Sequence, residues 1–310
     1  MFCKIVFRRI AILVFAVAAL PSFAAEIGVL MRPTPIYIAP DTTSQRLTMA
    51  QRGIEAALLE RNQKFLHVTL LLDEGAQITG WMLDKGAIFP STPNGDRVLF
   101  GEAVDSEAEA SHRGGRKDAA KDAYRLYRHV QEYFPNSPLA GEALYRAADI
   151  RWQMESADVW TRRSTKELPT GLRSTVDEDE MKQVIKKFPH SKWADLAEYH
   201  FIENKLCGDW LGKPSCPEKE TSIYEEYVKN YPNSPKAQEA LLKAASRQAA
   251  LIQIYTTDEQ PAKVPTAKQR AADLAKRTFD AKPDTDDAQR AQRLLYMVQH
   301  DIATYGNALD

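Results

Sequence analysis

One ten-residue pattern occurs four times in the last two thirds of this 310-residue chain. Phe134-Pro135-Asn136-Ser137-Pro138-Leu139-Ala140-Gly141-Glu142-Ala143 returns as Tyr231-Pro232-Asn233-Ser234-Pro235-Lys236-Ala237-Gln238-Glu239-Ala240. Phe188-Pro189-His190-Ser191-Lys192-Trp193-Ala194-Asp195-Leu196-Ala197 is a third copy, and Lys282-Pro283-Asp284-Thr285-Asp286-Asp287-Ala288-Gln289-Arg290-Ala291 is a degenerate fourth. Proline disfavours helical geometry in the residue before it, so a helix ends at the aromatic. Ser137, Ser191, Ser234 and Thr285 then stand where an N-cap opens the next helix. Pro138 and Pro235 follow at the first helical position, where a missing N–H costs nothing. The two alanines of each copy, three apart, share a face and let a neighbouring helix come close.

An apolar stripe precedes each turn. Tyr127, Met181 and Tyr224 stand seven residues before the aromatic, and Val130, Val184 and Tyr227 four before it. The unit is therefore helix, tight turn, antiparallel helix, and it must stack on neighbours to bury its apolar face. On these residues, 119–310 resembles the tetratricopeptide family, in the aromatic-Pro-x-Ser variant known from periplasmic envelope proteins of the Tol-Pal coordinating and outer-membrane barrel-assembly types. The prolines Pro135, Pro189, Pro232 and Pro283 are 54, 43 and 51 residues apart, against about 34 in a regular repeat. The excess is expected in three loops: Ser156 to Thr175, the Cys207–Cys216 segment, and Thr256 to Pro265.

Residues 25–90 read differently. Five of the fourteen glycines fall here, and short apolar runs alternate with turn residues. Ile36-Tyr37-Ile38, Ile54 to Leu59, Phe65 to Leu72 and Ile78 to Leu83 have strand length and are broken by Gly, Pro and Asp. Leu66, Val68 and Leu70 alternate with period two, the pattern of a half-buried strand. Pro35-x-Tyr37, Ala39-Pro40, Arg52-Gly53, Phe65-x-x-Val68 and Gly80-Trp81-Met82 together resemble a bacterial SH3 domain, with Phe65 where Trp is common and Met82 where Val is common. The expected fold is thus a small SH3-like β-barrel followed by a tetratricopeptide-like helical array. Residues 91–118, with the polar stretch Asp105 to Lys117, read as a linker with room for a short helix.

The first 24 residues have the form of a signal peptide. Lys4, Arg8 and Arg9 precede the apolar run Ile10 to Leu20, and Ser22-Phe23-Ala24 predicts cleavage between Ala24 and Ala25. That run is about half of the roughly 20 residues a membrane span needs. Removal of the leader takes the formal net charge from −1 to −4. A weakly acidic chain lacks the field that neutralises phosphates, so nucleic acid is an unfavourable partner. Two cysteines remain, Cys207 and Cys216, and in an exported chain they are expected to pair.

No chemical constellation stands out. His67, His112, His129, His190, His200 and His300 form no His-x-x-x-His pair, Gly114-Gly115 lacks the context of a phosphate loop, and a paired cysteine supplies no nucleophile. Two carboxylates suffice for a glycosidase and 42 acids leave that choice open. No catalytic residue, metal or cofactor is predicted. The expected function is a non-enzymatic periplasmic or secreted scaffold that binds envelope proteins or peptide segments. Peptidoglycan binding, which the SH3 resemblance implies, is the alternative. Tyr124 and Tyr127 are candidates for the helical surface, Tyr37 and Trp81 for the β surface, each against a plain packing role.

Overall fold

A computed structural model of the chain describes residues 26–73, 75–162, 168, 172 and 174–306. The segment read as a leader, with the expected Ala24–Ala25 cleavage site, lies outside the described residues, as does much of the predicted loop between Ser156 and Thr175.

Seven strands are described: β1 (Ile27–Leu30), β2 (Thr34–Tyr37), β3 (Arg46–Ala50), β4 (Glu55–Asn62), β5 (Phe65–Leu71), β6 (Gln77–Leu83) and β7 (Ala87–Ile88). All pairings are antiparallel, in the order β3-β2-β6-β5-β4-β1-β7. Leu66, Val68 and Leu70 do alternate into a core, where they meet Leu30, Ile36, Ala56 and Met82. Register shifts at Ile36/Tyr37 and between Leu58 and Glu60 help curl the sheet.

The curl stops halfway. The expected SH3-like barrel is not formed: β3 and β7 are the two edges of one open seven-stranded half-barrel. The reason lies in what covers the β7 side. Val29 and Ile88 are buried against Leu99, Leu126, Tyr127 and Val130, all helical residues. Apolar surface that closure would cover is removed from water by helices instead.

Nine α-helices are found among the described residues. The first three are α1 (Gly95–Ser111), α2 (Ala119–Tyr133) and α3 (Ala140–Val159). Next come α4 (Asp179–Lys187), α5 (Lys192–Lys205) and α6 (Ser215–Asn230). The last are α7 (Ala237–Thr257), α8 (Val264–Ala281) and α9 (Asp286–Gln299). The segment read as a linker therefore holds a helix of 17 residues. Its buried residues are only Gly95, Leu99, Ala103 and Ser106, a stripe too narrow and too polar to show as helical periodicity. The helices run from 9 to 21 residues with unequal connections. A regular tetratricopeptide-like array is thus not specified, and what stands is coarser: a β region followed by helices. No helix among the described residues is long and apolar enough to cross a membrane.

The repeated turns fold alike. Phe134, Phe188 and Tyr231 end their helices at φ/ψ of −126/57, −128/56 and −129/60°, and each donates its N–H four residues back, to Val130, Val184 and Tyr227. Tyr127, Met181, Tyr224 and the alanine pairs are all buried. Ser191 and Thr285 are N-caps, accepting from the N–H of Ala194 and Ala288 at 3.2 Å. Ser137 and Ser234 differ. Their hydroxyls accept from Leu139 and Lys236, two residues on, and helix begins only at Ala140 and Ala237. The two copies that begin this way are those with Pro138 and Pro235 after the hydroxyl. There the chain makes a separate turn, closed by Ala140 N–H to Ser137 O and Ala237 N–H to Ser234 O, before the helix starts.

Candidate functional site

Strand alternation puts Tyr37 and Trp81 on the face of the sheet opposite its core. Trp81 lies between Gly80 and Met82, both buried, so its own side chain points outward. A Cβ on Gly80 would come within 2.7 Å of Ile36 Cγ2 and of the Tyr37 carbonyl, which is why glycine precedes the tryptophan. Tyr37 pairs across strands with Trp81, and Trp81 with His67. The Trp81 and His67 rings stack at 4.6 Å, inclined by 13°. The row Tyr37, Trp81, His67 is half-exposed along its length. Trp81 therefore does not fill the core.

The helical candidates fare differently. Tyr127 is fully buried, its hydroxyl donating to Glu107 at 2.6 Å. Tyr124 is half-buried and donates to Glu180 of α4 at 2.6 Å. Burial and then the Glu180 carboxylate raise the Tyr124 hydroxyl above the usual phenol range. Both rings tie helices together, and the structure does not bring them to the Tyr37–Trp81 row.

The second cluster is where α2 meets the sheet. Gly53 turns at φ +70° with its Cα against Arg125; a Cβ there would lie 2.6 Å from Arg125 Cβ. The Gly53 carbonyl accepts from His129 Nε2 at 3.0 Å. Arg125 and Lys121 of α2 bind Asp73, the latter at 2.8 Å. Burial pushes the Asp73 carboxyl up, but the two cations outweigh it and hold it below the usual aspartate range. Tyr133 donates to Glu55 Oε1 at 2.7 Å, and Arg52 meets Glu102 at 2.9 Å. Glu55, His129 and Glu132 each bring a ligand-type atom within 4.8 Å of the others.

No protein-family model matches the chain, and no curated protein matches it significantly. Both resemblances therefore rest on their residues alone.

Cys207 and Cys216 are bonded, with Cα atoms 5.9 Å apart. What sequence reading missed is the anchor beneath their loop. Glu220, 1 % exposed, accepts from Cys207 N–H at 2.9 Å, Trp210 Nε1 at 3.1 Å and Arg247 Nε at 3.0 Å. Asn204 does the same for the loop before α4, pairing with both the N–H and carbonyl of Val176. Beside the disulfide loop a cleft of about 580 Å³ is lined by Gly212, Gln253, Ile254, Thr257 and Tyr305. A smaller one, about 330 Å³, lies between two successive elbows and exposes Asp195, Glu198 and Tyr231. Burial raises the Asp195 carboxyl above its ordinary value.

Proposed function

We propose that this chain is a non-catalytic scaffold of the bacterial cell envelope, exported from the cytosol, that holds a protein partner. The observation that carries the reading is the Tyr37–Trp81–His67 row: three rings in cross-strand register, half-exposed, in a molecule whose repeat tyrosines Tyr127, Tyr224 and Tyr227 are buried. Aromatic rings with a polar edge give large contact area at low entropic cost, which suits recognition. The disulfide adds support for an oxidising compartment. The acidic cleft between elbows, with Asp195 and Glu198, offers a second contact for a basic side chain of the partner.

A second reading, peptidoglycan binding by the same row, is favoured by the flat Trp81–His67 stack beside the bonded Thr69–Thr79 hydroxyl pair, a surface suited to a sugar ring. A photocrosslinking residue in place of Tyr37, in the exported chain, separates the two when combined with pelleting on purified cell wall. Scaffolding predicts a discrete protein adduct that Trp81→Ala abolishes, and no co-pelleting. Co-pelleting that depends on Trp81 replaces it with the cell-wall reading, and the absence of both results overturns both readings.

A further inference from the structure

The seam between β4 and α2 holds an arrangement that neither fold nor packing requires. His129 is nine-tenths buried. Because a carbonyl can only accept, its Nε2 must carry the proton donated to Gly53 O. In the neutral ring this leaves the Nδ1 lone pair facing outward, towards two carboxylates. Nδ1 lies 3.2 Å from Glu132 Oε2 and 3.8 Å from Glu55 Oε1, and in that ring form it has no proton to donate to either. A buried ring nitrogen without a hydrogen bond is costly, and the arrangement asks for a charge between the three groups.

The surroundings are those of an oriented ligand set. Metal-bound histidines characteristically donate their other N–H to a backbone carbonyl or carboxylate, which fixes tautomer and ring orientation; the Gly53 carbonyl is that acceptor here. Arg128 occupies Oε1 of Glu132, at 2.7 Å, and leaves Oε2 on the histidine side. Tyr133 donates to the same Glu55 Oε1 that faces the histidine, and so fixes where that oxygen stands. Donors about 2.0–2.2 Å from a tetrahedral ion stand roughly 3.3 Å apart, close to the 3.2 Å between Nδ1 and Glu132. Glu55, on a half-exposed side chain, has about half an ångström to close towards Nδ1 and up to about 1.5 Å towards Glu132. We infer that His129 Nδ1, Glu132 and Glu55 form a binding site for a divalent first-row transition ion of the zinc class, bridging the sheet to α2. One imidazole and two carboxylates match that class better than the all-oxygen sets of calcium or magnesium. Two carboxylates and one dication sum to zero charge.

The test is zinc chloride titrated calorimetrically into the exported chain carrying no histidine tag, alongside thermal unfolding with and without zinc. One ion per chain is expected, with a zinc-dependent rise in melting temperature. Glu55→Gln is expected to weaken binding at least tenfold and remove the rise while leaving the far-ultraviolet circular dichroism unchanged. His129→Gln should weaken it further. Because His129 is buried and its variant can misfold, Glu55→Gln decides the matter. No saturable uptake by the parent chain, or uptake unchanged in Glu55→Gln, overturns the proposal. Binding that depends on Glu132→Gln but not on Glu55→Gln also overturns it, since the ion would then sit on α2 alone.

Discussion

The helical elbows and the loops between them are held by opposite kinds of information. An elbow is written locally: an aromatic, a proline and a hydroxyl within four residues yield the same backbone angles in three separate copies, to within a few degrees. The Cys207–Cys216 loop has no such code. It is fixed from below by Glu220, a single carboxylate that reaches Cys207, Trp210 and Arg247 across 13, 10 and 27 positions of sequence. Local joints are redundant, because angles, cap and stripe all ask for the same turn. Joints made at long range concentrate their hold in one buried group, so they should be the brittle ones.

Replacing Glu220 puts that contrast under the greatest load. Glu220→Ala removes a side chain only 2 % exposed and leaves Arg247, 17 % exposed, without its counter-charge. It also leaves the Cys207 and Trp210 N–H groups without their acceptor. Breaking a buried pair from one side costs about 3–5 kcal/mol, and chemical denaturation should show a loss of that size. A loss below about 1 kcal/mol, the ordinary range for exposed pairs, would mean that the loop is held by the disulfide alone and that the comparison fails here.

The elbows should respond several-fold more gently. Ser191→Ala removes one N-cap acceptor, worth about 1 kcal/mol, while the Phe188 turn and the buried Met181, Val184 and Ala197 stay in place. Ser137→Ala, made in an Asp96→Ala background so that the bond between those two side chains is left out of the comparison, removes a hydroxyl that serves a turn before the helix and not its cap, and should cost less. Equal losses at the two positions, measured by thermal unfolding, would show that the proline-bearing and proline-free elbows are energetically alike despite their different geometry.

The same contrast explains what could be read in advance. The elbows, their buried stripes and the three-residue alanine spacing were legible because each is short-range and repeated. Alternation at Leu66, Val68 and Leu70 gave the correct inward face of that strand, but not the choice between core and surface for Trp81. Barrel closure was not legible. It depends on whether Val29 and Ile88 find strand or helix as their cover, and α1 conceals its role behind a sequence rich in Asp and Glu with one buried leucine. Nor could the cluster at the seam be seen: His129 and Glu132 lie three apart on a helix, but Glu55 comes from a strand 74 residues earlier and Gly53 from the turn before it. For Tyr124 and Tyr127 the reading left surface and packing roles open for a related reason, since one period of the helix decides between groove and core and the sequence does not say which side carries α1 and α3.

The smallest effect expected is a dependence on pH at the first elbow, where a local turn and a long-range partner meet. Ser137 donates to Asp96 Oδ2 at 2.6 Å, 41 positions away. That hydroxyl, chiefly, holds the Asp96 carboxyl below the ordinary aspartate value of 3.8. A carboxyl depressed on folding binds protons less readily in the native state than in the unfolded chain. Its contribution to stability is therefore complete above about pH 3.8 and drains away as the pH falls through the lower, folded value. Asp96→Asn should be less stable than the parent at neutral pH, by an amount kept small by the exposure of the site. The gap should narrow only on strong acidification, below the ordinary aspartate range. A gap that stays constant through that range would show that Asp96 holds the elbow by shape, as a neutral acceptor would, and that even this long-range contact is as redundant as the local turn it joins.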